Sequence, residues 1–143
     1  MIKFYDEKGK VHPDLYDQKA QEVAQKLIEG KFNKKYNKTN YHGVSRSQLR
    51  KLFDEVKSIE KKLNNNSWED VLPLVKMIKS KAAYNTSRMI KNEKANKKYY
   101  EFLNEFVKNG IDQVYEYRDY KTFCMFFEAV YGFYYENGGY ATK

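Results

Sequence analysis

Ser45-Arg46-Ser47-Gln48-Leu49-Arg50-Lys51-Leu52-Phe53-Asp54-Glu55-Val56 is the stretch whose reading decides the fold. Its first four residues have the form of a capping box. The Ser45 hydroxyl can accept from the Gln48 N–H while the Gln48 side chain reaches back to the Ser45 N–H. Beyond the cap, Leu49, Leu52, Phe53, Val56, Ile59 and Leu63 recur at helical spacing and mark one buried stripe. Arg46, Ser47, Arg50 and Lys51 then fall on the outer, N-terminal part of that helix. Asn64-Asn65-Asn66 breaks it.

Downstream, Ser67-Trp68-Glu69-Asp70 is a second capping signal. Val71, Leu72, Val75 and Ile78 follow, and Pro73 either kinks this helix or divides it in two. Helical spacing resumes through Ala82, Ala83, Met89 and Ile90. Tyr99, Phe102, Leu103 and Phe106 mark another helix, with a stop expected at Asn109-Gly110. A short helix from Ile111 to Tyr117 is expected next. Asp119 is placed to cap a last long helix that is apolar most of the way round, from Phe123 to Tyr131, ending at Asn137-Gly138-Gly139. Upstream, Tyr16, Ala20, Val23, Ala24 and Leu27 share a face, with Pro13 suited to a first turn and Gly30 supplying a stop. Residues 1–12 read as an extended segment. Residues 31–43, rich in Lys, Asn and Tyr, read as a long basic loop of a kind that is often functional. No stretch alternates as a half-buried strand does. The expectation is an all-α compact bundle of five to six helices, a single domain over residues 1–143.

Charge gives the first functional clue. The net charge is +8. Residues 1–44 contribute +3, residues 45–98 contribute +8 and residues 99–143 contribute −3. Codon bias toward Lys, Asn and Tyr would spread charge evenly, so a lopsided distribution points to a polyanion partner for the middle third. Three of the four Arg lie there (Arg46, Arg50, Arg88), and Arg grips phosphate with a planar fork that Lys lacks.

Reactive chemistry is sparse. Cys124 is the only cysteine and lies in an apolar run, as a small buried hydrophobe does. His12 and His42 are far apart. Metal-ligand spacings and Gly-rich phosphate cradles are missing. The carboxylate pairs Asp54-Glu55 and Glu69-Asp70 suit an outer helix face and a helix N-terminus. The expectation is no catalytic residue, no metal and no cofactor. The N-terminus is charged almost at once and no window approaches a membrane span, so a cytoplasmic protein without membrane association is expected.

Two basic patches are candidates. Arg46, Ser47, Gln48, Arg50 and Lys51 lie at a helix N-terminus, where free N–H groups and the macrodipole favour phosphate. Lys76, Lys79, Lys81, Arg88, Lys91, Lys94, Lys97 and Lys98 form the second run, opposed by Glu93 alone, with Tyr84 inside it. Tyr84 either stacks on an exposed base or packs into the core with its hydroxyl at the surface. Charges spread over two segments suit tracking a backbone rather than reading bases. Two other readings stand beside this one. One is a structural or adaptor bundle whose surface charge is incidental. The other is a helix-turn-helix DNA-binding regulator using the Ser45 helix, although the preceding helix ends too far upstream for that motif.

Ser47-Gln48-Leu49-Arg50-Lys51-Leu52-Phe53-Asp54-Glu55-Val56 also resembles the Ser-Gln-hydrophobic-Arg signature of the small subunit of type III-A CRISPR effector (Csm) complexes. In order, Val71-Leu72-Pro73-Leu74-Val75 is similar to its middle helix. Lys79-Ser80-Lys81-Ala82-Ala83-Tyr84 with Arg88 resembles its basic stretch, apart from Ser80, where many members have Pro. Phe126-Phe127-Glu128-Ala129-Val130-Tyr131-Gly132-Phe133 resembles its C-terminal helix. The resemblance spans roughly residues 40–140. It implies a non-catalytic helical subunit, present in several self-associating copies along a prokaryotic ribonucleoprotein filament. Its implied partners are the crRNA and target RNA, the backbone subunits and the large signalling subunit. Carried over, it implies RNA-backbone contact by Gln48, Arg50 and Lys51 and by Lys81, Tyr84 and Arg88. The acidic C-terminal third is then expected to face neighbouring protein.

Overall fold

The computed structural model describes residues 1–142. Among them the chain forms α1 (Gln18–Leu27), β1 (Ile28–Asn33), β2 (Lys38–Gly43), α2 (Arg46–Lys62), α3 (Trp68–Asn92), α4 (Lys97–Asp112) and α5 (Tyr117–Glu136). Single turns of 3-10 helix lie at Lys94–Asn96 and Gly139–Ala141. The architecture is therefore mostly helical with one two-stranded antiparallel sheet, which corrects the all-α expectation. In the bundle α1 packs on α5 and α4, α3 packs on α4, and α2 lies across α3 and α5.

The strands replace the expected loop at residues 31–43. Register runs from Ile28 opposite Gly43 to Asn33 opposite Lys38. The hairpin escapes a search for alternation because most of its residues on both faces remain in contact with solvent, so nothing selects apolar residues at every second position. α1 ends at Leu27 and not at Gly30, because Val44 N–H donates to the Leu27 carbonyl at 2.9 Å. At this crossing Gly43 has φ +141°, and a Cβ there would lie 2.3 Å from the Leu27 oxygen. Only glycine fits.

Ser45 caps α2 as expected, its Oγ accepting from Gln48 N at 3.3 Å. The reciprocal half is supplied differently. Ser45 N–H donates to the Tyr100 hydroxyl at 3.1 Å, which brings α4 to the α2 N-terminus. Ser67 caps α3 through Asp70 N at 3.2 Å. Pro73 does not divide this helix, which runs unbroken from Trp68 to Asn92. The proline ring is exposed in the second turn, where it forfeits one backbone hydrogen bond.

Asn109-Gly110 does not stop α4 either. Gly110 is a packing notch: a Cβ there would lie 2.4 Å from Phe123 Cε1. The expected short helix from Ile111 to Tyr117 is replaced by the last residues of α4, a turn and the start of α5. Asp119 is the third residue of α5 and caps its start in a capping box with Glu116, accepting from the Tyr115 and Glu116 N–H groups, both at 3.0 Å. Its other oxygen accepts from the Tyr5 hydroxyl at 2.7 Å. Burial opposes its ionisation. The hydroxyl and the two N–H donors prevail and hold the carboxyl below the usual carboxylate range.

Residues 1–12 fold back on themselves, with Tyr5 bridged to Val11 and a turn at Gly9. Residues 13–17 are turns, so Pro13 precedes α1 without joining it. Phe4 is fully buried and packs on Phe123 and Phe126. Gln113 fixes this segment by accepting from Phe4 N–H at 3.0 Å and donating to the Ile2 carbonyl at 2.8 Å. The core centres on the rings of Phe4, Phe106, Phe123, Phe126 and Phe127, mostly edge to face. The buried tyrosine hydroxyls are satisfied as burial requires. Tyr120 donates to the Val56 carbonyl and Tyr134 to the Val44 carbonyl, each at 2.7 Å.

Candidate nucleic-acid interface

Between the outer faces of α2 and α3 runs an open groove of about 410 Å³ lined by Lys51, Leu52, Glu55, Ser80, Lys81, Tyr84 and Asn85. On the α2 side it continues into a shallower surface formed by Ser47, Arg50, Lys51, Asp54, Glu55 and Ser58. Lys51 and Glu55 belong to both, so the two segments picked out by charge meet here.

On α3, Lys81, Tyr84 and Arg88 stand three and four residues apart and share an exposed stripe. The Tyr84 ring is 65% exposed, which decides between its two readings against core packing. The Arg88 guanidinium lies 5.8 Å from its centroid. Lys81 forms an ion pair with Glu55 across the groove. Such a pair at an exposed site is worth about 0.2–1 kcal/mol, so Lys81 can exchange Glu55 for another anion at little cost.

The remaining expected residues are placed differently. Arg50 and Lys51 are exposed on α2. Ser47 is exposed, its Oγ 3.4 Å from that of Ser45. Arg46 is exposed but turned toward the chain's C-terminal segment. Its N–H donates to Thr142 Oγ1 at 2.6 Å and its guanidinium to the Tyr140 carbonyl at 3.4 Å. Gln48 turns inward and lines a small cavity beside Ala82, Thr86 and Tyr100. Lys76 and Lys79 lie on the far flank of α3. Lys76 Nζ donates to the carbonyls of Ile111 at 3.1 Å and Val114 at 2.7 Å, closing the C-terminal end of α4. Desolvation there lowers its pKa. Lys79 pairs with Asp112. The groove thus gathers Lys51, Lys81 and Tyr84, with Arg50 and Arg88 beside it, and excludes Lys76 and Lys79.

Charge counting over residues 31–43 gives no reason to single out individual residues, yet the hairpin is a further basic surface. It carries Lys31, Lys34, Lys35 and Lys38, and leaves Phe32 60% and Tyr36 61% exposed. The absence of acids across the segment is the one signal available in advance.

Among the described residues, the other reactive groups do not converge. Burial pushes the Cys124 thiol up to about 12, so it is not a thiolate at neutral pH. His42 faces Glu29 across the hairpin, while His12 lies in the N-terminal turn. Among the described residues, no group of three or more His, Cys, Asp or Glu is placed to hold a metal ion, and no helix is long and apolar enough to cross a membrane.

A small helical protein with a cationic, aromatic-edged groove is the class these features define. The family model described as Csm2 Type III-A matches residues 10–138. The chain belongs to this family, the small subunits of type III-A CRISPR effector complexes, and by that membership is a subunit of a Csm complex. The match reaches back through the hairpin and α1, where no motif of the resemblance lies. No curated protein and no solved structure matches the chain.

Proposed function

We propose that this chain is a non-catalytic, single-domain subunit that holds the crRNA–target RNA backbone in the α2–α3 groove without sequence preference. Several copies associate along the filament and bridge the backbone subunits and the large signalling subunit in the prokaryotic cytoplasm. The observation that carries the reading is the convergence of Lys51, Lys81 and Tyr84 on one open groove, with Arg50 and Arg88 at its edges. Long, flexible cations contact phosphates wherever the backbone runs, and they carry no base code. Ser47 extends the polar edge at the α2 N-terminus, and Arg46 adds charge there once its guanidinium leaves the Tyr140 carbonyl. Gln48, Lys76 and Lys79 have structural roles in this reading and reach RNA only if their present contacts open. The acidic C-terminal third faces protein neighbours.

The test is a salt titration of binding to a guide–target RNA duplex. Arg50→Ala and Lys51→Ala should each reduce the salt slope by about 0.7–0.9, the value for one phosphate that is no longer neutralised. Unchanged affinity and slope in both variants would remove the α2 side of the groove from RNA binding.

A further inference from the structure

We infer that the β1–β2 hairpin is a second RNA contact, one that grips unpaired nucleotides by stacking them on Phe32 and Tyr36. The inference rests on the RNA-binding reading above but concerns a different surface and a different state of the nucleic acid.

Charge comes first. From Gly30 to Tyr41 there are four Lys and no carboxylate. The acid at the hairpin base, Glu29, is shared among several partners. It accepts from the Tyr99 hydroxyl at 2.6 Å and lies 4.0 Å from both Lys31 and Lys98. The rest of the hairpin is an uncompensated cation cluster.

The rings are the second observation. Phe32 and Tyr36 are among the most exposed aromatic residues of the chain, and the Lys35 ammonium lies 5.5 Å from the Tyr36 centroid. Lysines on the edges of a two-stranded sheet guard against edge-to-edge pairing. That role asks only for charge and leaves two bare rings unexplained. Cations interleaved with free π-faces are what a single strand requires: phosphates meet the ammonium groups and bases stack on the rings. A base-paired duplex cannot use such rings, because its base faces are already covered by their neighbours.

The tip is also built rather than loose. Asn33 Oδ1 accepts from Lys35 N–H at 3.0 Å, Asn33 pairs with Lys38 across the turn, and Asn37 takes the left-handed conformation at φ 50°, which Asn tolerates well. At the base, Gly43 N–H donates to Asn96 Oδ1 at 3.1 Å. Rings held on a fixed frame lose less entropy on binding than rings on a mobile loop.

The experiment uses the full chain and two labelled probes at low salt: an oligouridine single strand and a blunt guide–target RNA duplex. The double variant Phe32→Ala/Tyr36→Ala should weaken single-strand binding by about tenfold or more, given the usual strength of base–aromatic stacking. Duplex binding should stay within about twofold, since electrostatic contacts are kept. Replacing both residues by Trp should restore the single-strand affinity. Both side chains are exposed, so circular dichroism should show an unchanged fold. A double variant that binds the single strand as the parent does overturns the inference and leaves the hairpin as an edge guard or a protein contact. Equal losses on both probes overturn it as well. A parent chain that binds only the duplex sinks the hairpin while the groove stands. Binding only to the single strand, abolished in the double variant, supports the hairpin while the groove fails. Binding to neither probe sinks both.

Discussion

Replacing Glu55 by Gln should tighten RNA binding. Glu55 and Lys81 form an ion pair across the groove, with side chains 34% and 43% exposed respectively. An ion pair at this exposure contributes about 0.2–1 kcal/mol, so the fold should survive Glu55→Gln with a stability loss no larger than that. What changes is the state of Lys81. Freed of its carboxylate, it becomes available to one phosphate, which steepens the salt dependence by about 0.7–0.9. Over a fourfold change in salt, from roughly 200 to 50 mM, that slope raises the ratio of the two affinities about threefold. Fluorescence anisotropy with a labelled guide–target duplex over this range reads the effect directly. The control is Asp112→Asn, which removes the same charge and frees Lys79 on the far flank of α3. Its gain should be clearly smaller. Equal gains from the two variants would mean that net charge alone sets the affinity. No gain from Glu55→Gln would mean that Lys81 does not meet phosphate. Either result would refute the groove.

Other substitutions probe the remaining features. Lys76→Ala should leave RNA affinity and its salt slope unchanged while lowering unfolding stability by about 1–2 kcal/mol in urea, because two carbonyls at the α4 terminus lose their shared donor. Gly110→Ala gains helix propensity of about 1 kcal/mol but drives a methyl group into the Phe123 ring. Overpacking of this kind costs about 1–3 kcal/mol, so a drop in melting temperature is expected, and a rise would show that the ring moves aside freely. Asp119 has a folded-state pKa below its ordinary value. Its contribution to stability is therefore complete above the ordinary carboxylate range, near pH 4, and is lost as pH falls through the lower folded value. Asp119→Asn should lower stability at neutral pH and flatten that acid loss in urea titrations taken from pH 7 down to about pH 2.

How much of this was legible from residue order depends on what selects each residue. The α2 stripe and its Ser45 cap are chosen locally, by burial on one face and by an N–H needing an acceptor, so periodicity and capping rules find them. Gly110 and Gly43 are chosen by what crosses them, Phe123 in one case and the Leu27 carbonyl in the other. No local rule separates such a notch from a helix stop. The hairpin is wetted on both faces and offers no alternation to detect. Lys76 and Lys79 share a helix face, as their spacing requires, but only the docking of α4 decides that this face is taken up by carbonyls and by Asp112. Lys81, Tyr84 and Arg88 lie on another, exposed face of the same helix, where Lys81 is held only by its ion pair with Glu55. In the candidate site, then, residue type was readable in advance and orientation was not.

The staple between the N-terminal segment and the end of α4 has a consequence for how the chain is made. Phe4 N–H meets Gln113 across 109 residues of sequence, and its ring needs Phe123 and Phe126 of α5. The core cannot close while α5 is still inside the ribosome. Contacts this far apart in sequence also slow the search once the chain is released. A nascent chain therefore presents its basic helices before it has an aromatic centre to mount them on. At elongation rates of about 5–20 residues per second, that exposed interval lasts for several seconds of every round of synthesis, and it is the period in which this molecule would most need a chaperone.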